Sequence, residues 1–424
     1  MKIQYKVYSV FLLVSLFFIV QEAKSFVLSD DVIAPYISSN LLYDSNYLRL
    51  SNDRLDANGR LVPRTGDRTE FLKIVTAGFN TNIHRGSQEF VVSANVNESY
   101  FQNNVGLNYT GWDTLSKWNW LATNQLKGEI GYSNKELLGS YDFLNGINAI
   151  NAVTPNSVGS YVANLRNDQN AYANGNYLFH PNGNLKLGWF RTQYTYDDAS
   201  RSNSNNLEDN GQIDLQYLSP VGHTLGVRVT GTKGLFPNRN VQQTNLDNDY
   251  YRLAYVGTWE SAEYRKLRFS GFAGYTEQHF AHFSTYDFNS FIGRFVVNYT
   301  FSPKTSVELI GKNEVMQAQS LFATFYQVRG IELNPVWQLT PKFKIKMPFS
   351  YTQMDILGST NNISSSFATS PYSVTTNGIG LNFNYLPIEH IDITTVINYQ
   401  NRDSANALRS FDTFSAGMTL QALF

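Results

Sequence analysis

Residues 291–301 read Phe291-Ile292-Gly293-Arg294-Phe295-Val296-Val297-Asn298-Tyr299-Thr300-Phe301. Phe291, Phe295, Val297, Tyr299 and Phe301 share one parity, and Arg294, Asn298 and Thr300 share the other. A period of two belongs to extended chain, whose side chains point alternately to opposite faces. The same alternation sets Phe343, Ile345, Met347, Phe349 and Tyr351 against Lys344, Lys346, Ser350 and Thr352. It also sets Ile379, Leu381, Phe383 and Tyr385 against Asn382 and Asn384. Such segments, about ten residues long and separated by turn chemistry, predict strands and not helices.

The composition says what the two faces meet. Aromatic residues are 15% of the chain, with 27 Tyr and 29 Phe, while charged residues are 16% against about 25% in ordinary soluble domains. Mean hydropathy is −0.30, and no window after residue 25 is a continuous apolar span. A wall with aromatic and aliphatic groups toward lipid and uncharged polar groups toward a wet interior accounts for both facts. The predicted fold is therefore all-β: a transmembrane, antiparallel, up-and-down β-barrel. A periplasmic β-sandwich of this length would be unusually large.

The N-terminus agrees with an exported chain. Lys2 and Lys6 precede an apolar stretch from Val7 to Val20, followed by Ala23-Lys24-Ser25, a small-x-small cleavage pattern. Residues 1–25 are expected to be a signal peptide and 26–424 the barrel. The apolar run is shorter than the roughly 20 residues a spanning helix needs. The chain has no cysteine, hence neither a disulfide nor a lipidated N-terminal cysteine. Cleavage removes Lys2, Lys6, Lys24 and Glu22, taking 33 basic and 34 acidic residues to 30 and 33, a net charge of −3. That balance excludes a nucleic-acid partner, which requires a basic excess.

Connections alternate in kind. Tight ones, His180-Pro181-Asn182-Gly183-Asn184 and Ser302-Pro303-Lys304-Thr305, exchange with long polar ones at 44–67, 137–166 and 355–373. In outer-membrane barrels the short turns face the periplasm and the long loops face outside. A repeat marks the short side, where an aromatic is followed by a turn proline: Tyr217-Leu218-Ser219-Pro220, Phe301-Ser302-Pro303, Trp337-Gln338-Leu339-Thr340-Pro341, Tyr385-Leu386-Pro387. Proline suits a turn that needs no ladder N–H, and the ring suits the headgroup level. The prolines recur at a hairpin period of about 40 residues or its double, which predicts about 18 strands, within 16–18. The segment 100–170 is poorly patterned.

At the C-terminus Phe414, Ala416, Met418, Leu420, Ala422 and Phe424 alternate with Ser415, Gly417, Thr419 and Gln421. This ending resembles the signal that the barrel-assembly machinery engages, with Phe424 as its last residue. The predicted location is the outer membrane of a Gram-negative cell, among lipid and lipopolysaccharide.

Candidate chemistry is sparse. His84, His180, His223 and His390 fall in or beside short turns. Glu277, His279 and His282 make a denser group at the outer rim, but no fourth ligand is evident, and ligand count defines a metal site. No Ser/His or Asp/His constellation can be assembled, so no catalytic residue, cofactor or metal is assigned and the chain is not read as an enzyme. The inner wall is more telling, because polar wall residues set what passes a wide barrel. By parity Arg228, Arg252, Arg268 and Arg294 point inward from four successive strands with no evident inward acid. Asp214, Glu308, Lys312, Glu332, Lys344, Lys346 and Asp392 also point inward. Either the arginines pair with acids and brace the barrel, or they form a basic wall that guides an anionic polymer.

Two stretches carry a resemblance: Tyr43-Asp44-Ser45-Asn46-Tyr47-Leu48-Arg49-Leu50 after the first strand, and Leu235-Phe236-Pro237-Asn238-Arg239-Asn240 after the ninth. Together with the layout of strands and turn prolines from about residue 31 onward, they resemble the EpsL-type outer-membrane barrels of exosortase-associated exopolysaccharide operons. The resemblance implies a porin-like channel in synthesis or export of an extracellular polysaccharide, with the polymer and other export components as partners. Read from the residues alone, a general or small-sugar diffusion porin and a plugged scaffolding barrel remain open.

Overall fold

In a computed structural model, residues 26–28, 31–55, 60–64, 68–139, 163–239, 249–262, 266–317, 325–357, 372–405 and 407–424 are described. The expected signal peptide at 1–25, Asn240 and most of the loops at 137–166 and 355–373 lie outside them. The first nine barrel strands are β1 (Asp31–Asp44), β2 (Glu70–Arg85), β3 (Gln88–Phe101), β4 (Tyr109–Thr123), β5 (Leu126–Leu138), β6 (Leu165–His180), β7 (Gly183–Tyr196), β8 (Asn206–Leu218) and β9 (Thr224–Leu235). The remainder are β10 (Tyr250–Glu260), β11 (Leu267–Phe280), β12 (Phe288–Ser302), β13 (Thr305–Gln317), β14 (Phe325–Thr340), β15 (Phe343–Lys346 and Phe349–Leu357), β16 (Tyr372–Ile388), β17 (Ile391–Ser404) and β18 (Phe411–Leu423). Each strand pairs antiparallel with the next, and β18 returns to β1 from Tyr36↔Leu423 to Asp44↔Ser415. The sheet is a closed antiparallel barrel of 18 strands, at the top of the predicted range. Closure leaves no sheet edge unpaired, the condition for backbone in lipid. The Phe424 N–H donates to Pro35 O at 2.9 Å, extending the seam to the last residue.

β15 is one strand in two segments because Pro348 has no N–H for the ladder. The sheet bridges the gap on both sides: Met347 N–H donates to Pro335 O at 3.0 Å and Gly380 N–H donates to Pro348 O at 2.8 Å. The tight turns all lie at the end that holds both termini. Pro220, Pro303 and Pro341 sit in turns there, while Pro387 falls inside the end of β16, where the register shifts between Tyr385 and Ile388. The two-residue turn between β2 and β3 uses Gly86 at φ +60°, the left-handed conformation such a hairpin demands. The rings of Tyr217, Phe301, Trp337 and Tyr385 stand exposed on the outside near these turns, at the level expected for an aromatic girdle.

Facing follows the pleat. Leu187, Trp189, Ile213, Leu215, Val227, Tyr255, Phe291 and Phe295 are exposed large apolar residues on the outer face, where lipid covers them. Between them the inward positions are largely polar, with an apolar patch that includes Val256, Phe272 and Ile292. No helix among the described residues is long and apolar enough to cross a membrane.

The long-loop end differs from the middle. There the inward side chains are apolar and dry, in three clusters. Leu48 of the first loop packs on Leu72, Phe101 and Leu107. Tyr326, Val328, Ile356 and Val374 make the second, and Tyr250, Phe280 and Phe325 the third. Described loop residues thus fold over the inner wall at this end rather than standing out from it.

Candidate functional site: the lumen wall and its loops

Arg228, Arg252, Arg268 and Arg294 all occupy inward positions, on β9, β10, β11 and β12. Their exposed neighbours Val227, Leu253, Phe269 and Phe295 face out. Three of the four are paired with acids, two from the adjacent strand and one, for Arg252, from two strands away. Arg228 donates from Nε and Nη2 to Asp214 Oδ2 at 3.1 and 2.8 Å. Arg252 Nη2 reaches Glu208 Oε1 at 3.2 Å, and Arg294 Nη1 reaches Glu314 Oε1 at 3.4 Å. These acids lie on β8 and β13, outside the four strands that carry the arginines, and give the bracing arrangement. Register brings Asp214 directly opposite Arg228 and Glu314 two positions beyond Arg294's partner Lys312, while Glu260 on β10 shares the inward parity of Arg252.

Arg268 lies opposite Asn298 and has no ion pair among the described residues. The same holds for Lys344 and Lys346, inward on β15 opposite Gln338 and Val336. Lys312 pairs with Glu332 at 2.7 Å, Glu308 accepts from Asn334 Nδ2 at 3.1 Å, and Asp392 accepts from Asn384 Nδ2 at 2.6 Å.

Pairs of the same kind line the far wall, where sequence reasoning did not place them: Lys117–Glu129 at 3.3 Å, Lys135–Asp113 at 3.2 Å and Arg166–Asp168 at 2.6 Å. Lys186 was also missed, though Leu185, Leu187 and Trp189 alternate around it. It sits opposite Asp214 on the side away from Arg228. The interior is thus an ion-paired, amide-rich wall, with unpaired cations at Arg268, Lys344 and Lys346 toward the turn end.

Between β8 and β13 the wall dips into a recess of about 280 Å³. Arg228, Arg252 and Glu314 sit at its polar side, and Val256, Phe272, Ile292 and Met316 at its apolar side. Above it, Tyr250 OH donates to Glu208 Oε2 at 2.7 Å. The Tyr250 ring lies so close over Gly234 that no Cβ fits there, which explains a glycine within a strand.

The two motifs that carry the family resemblance are both turns at the long-loop end. In the first, buried Asp44 accepts from Arg49 Nη1 at 3.0 and 2.9 Å, from Asn46 N–H at 2.8 Å and from Thr413 Oγ1 at 2.7 Å. Arg49 adopts φ +54° to do so. In the second, Arg239 N–H closes a turn onto Phe236 O at 3.0 Å, with Pro237 and Asn238 at the corner positions they favour.

Four of the six histidines have side-chain partners given by the structure. His180 Nδ1 accepts from Asn182 N–H at 3.1 Å and His223 Nδ1 from Ala262 N–H at 3.2 Å. His84 lies 3.7 Å from Glu89. At the outer rim His279 Nδ1 is 2.9 Å from Asp287 Oδ2. Burial raises the Asp287 carboxyl, but the hydrogen bonds from His279 and Phe280 N–H outweigh it and hold the group below its ordinary value. Among the described residues no three His, Asp or Glu side chains are grouped to hold a metal.

No family model matches the chain, and no curated protein matches it in sequence. Among solved structures it is similar to the outer membrane protein OpdK of Pseudomonas aeruginosa, at 9% identity and TM-score 0.47 over 93% of this chain and 98% of that one. It is similar to OccK2 (OpdF) of the same organism, solved in complex with glucuronate, at 10% identity and TM-score 0.49 over 95% and 100%. OccAB3 of Acinetobacter baumannii aligns at 8% identity and TM-score 0.45 over 93% and 99%.

Proposed function

We propose that this chain is a porin-like channel of the outer membrane that takes part in exopolysaccharide export. The observation that carries the channel reading is the inner wall: a closed barrel whose inward groups are amides, hydroxyls and ion pairs around a recess. Such a wall supplies donors and acceptors of both kinds to a hydroxylated solute and replaces the water it sheds. The polysaccharide assignment rests on the EpsL-type resemblance of the Tyr43–Leu50 and Leu235–Asn240 motifs.

The test is reconstitution of the folded protein in planar bilayers, where stepwise conductance is expected. Deleting the gene should lower extracellular polymer and accumulate it behind the outer membrane. Unchanged polymer together with slower sugar uptake would favour a small-sugar diffusion porin. The apolar packing of loops against Leu72, Phe101, Tyr326 and Ile356 favours a second reading, a plugged scaffolding barrel. Heat-modifiable, folded protein that never conducts would establish that one instead.

A further inference from the structure

We propose that Arg239 is an oxyanion-binding residue at the long-loop end of the lumen, where its Nη1 and Nη2 take the carboxylate of an acidic sugar. The natural ligand's identity rests on the channel reading; the site itself does not.

Three restraints fix the guanidinium. Its plane stacks on the Phe236 ring, 3.8 Å from the centroid. Phe236 is buried, and its N–H donates to Asp249 Oδ1 at 2.6 Å. On the far side Arg239 Nε donates to Asn203 O at 2.7 Å, tying the loop after β9 to the loop after β7. What remains are Nη1 and Nη2. Both are dry, and neither has a hydrogen-bond partner among the described residues.

That condition is costly for an arginine. A buried cation without an acceptor loses its hydration and gains nothing in exchange. Burial pushes the Arg239 guanidinium down to about 9, against the pull of Tyr326 and Asp249. It therefore still carries its charge at neutral pH. Asp249, the carboxylate that acts on it, is committed to the Phe236 N–H. Arg409, from the loop before β18, is likewise lowered to about 9 by burial and acts on the same Tyr326. Two cations from two loops thus converge on one side chain of β14.

The first loop shows that this chain can satisfy a loop arginine internally, since Arg49 receives both oxygens of Asp44. At Arg239 no carboxylate among the described residues is hydrogen-bonded to the terminal nitrogens, while the geometry that would use one is kept. A guanidinium held by Nε and by a ring face, with both terminal nitrogens open, matches the fork that binds a carboxylate through two parallel hydrogen bonds. Arg239 as a whole residue is only partly buried, so part of it meets solvent beside the two dry terminal nitrogens.

Isothermal titration of the full-length protein folded in detergent, with D-galacturonate as probe, D-galactose as neutral control and inorganic sulfate as competitor, tests the site. Galacturonate should bind, and galactose should bind at least tenfold more weakly. Arg239→Gln should weaken galacturonate at least tenfold, whereas Arg191→Gln, on the outer face, should not. Displacement by sulfate at similar concentration supports recognition of any oxyanion, and its failure supports recognition of carboxylate. Wild-type affinity in a folded Arg239→Gln barrel overturns the proposal, as does absence of galacturonate binding to the wild type. Should Arg239→Gln not fold, Asp249→Asn keeps the acceptor for Phe236 and removes the nearby negative charge. It should tighten binding severalfold, and unchanged affinity in it overturns the proposal. Bound galacturonate without conductance refutes the channel reading alone, and conductance without binding refutes the site alone.

Discussion

Removing either partner of the Arg228–Asp214 pair should destabilise the barrel unequally, with Arg228→Ala the worse of the two. Asp214 has no exposed side-chain surface, while Arg228 keeps 31% of its own. Besides Arg228, the carboxylate receives among the described residues only Gln216 Nε2, at 3.2 Å. Arg228→Ala therefore leaves a dry carboxylate with one amide donor, and breaking a buried pair in this sense costs about 3–5 kcal/mol. Lys186, in register on the other side of Asp214, can swing toward it and keep the loss near the lower end. Asp214→Ala leaves a guanidinium that already touches lumenal water, so about 1–3 kcal/mol is lost with the charge-assisted hydrogen bonds. The expected asymmetry is about 1 kcal/mol, and the double alanine variant should fall short of additivity by about 1–2 kcal/mol. Urea unfolding in lipid vesicles, followed by tryptophan fluorescence, measures all four corners of the cycle. An Arg228→Ala variant no worse than Asp214→Ala, or a coupling below about 0.5 kcal/mol, would refute the claim that this pair braces the wall.

Four further outcomes are expected. Val297, outward between Phe269 and Leu309, should lose about 2–4 kcal/mol on Val297→Arg, and Asn298→Arg on the lumenal face much less; equal tolerance contradicts the facing. The cysteine-free chain allows topology to be read by labelling: Val105→Cys, exposed in a loop, should react with an impermeant reagent on intact cells. Lys304→Cys should react only after the outer membrane is breached. Deleting Phe424, whose N–H donates to Pro35 O, should reduce heat-modifiable barrel in the membrane, and an unchanged amount would show the seam does not need it. Changing Arg228, Arg252, Arg268 and Arg294 together to glutamine frees Asp214, Glu208 and Glu314. Reversal potential should then move toward cation preference at low salt and less at 1 M, where screening shortens to about 3 Å; an unchanged potential in a folded barrel ends the basic-wall idea.

What could be read from the sequence depended on where along each strand the two faces meet different solvents. In β12, Phe291, Phe295, Val297, Tyr299 and Phe301 face outward while Arg294, Asn298 and Thr300 face the lumen, so alternation alone gave facing. The last strand was equally plain, and the turn prolines located the short side. In β6 the signal fades for a physical reason. Its outward Asn167 and Gln169 bond each other and reach Asn134 and Tyr132 on β5, so near the long loops both faces are polar and period two disappears. At the same level the inward face turns apolar at Leu72, Val328 and Ile356, because loops and not water cover it. Parity also gave facing without partners. Arg228 and Asp214 stand 14 residues apart on strands whose register depends on a turn, and a one-residue slip would have sent one of them into lipid. The Phe236–Arg239 turn marks the furthest limit. Phe-Pro-Asn-Arg announces a turn, but whether its arginine meets bulk water, an acid or an empty dry corner depends on Asn203, Asp249 and Tyr326, residues from three other parts of the chain. No local pattern carries that information, so a site made by loops folding inward becomes visible only when the strands are closed around it.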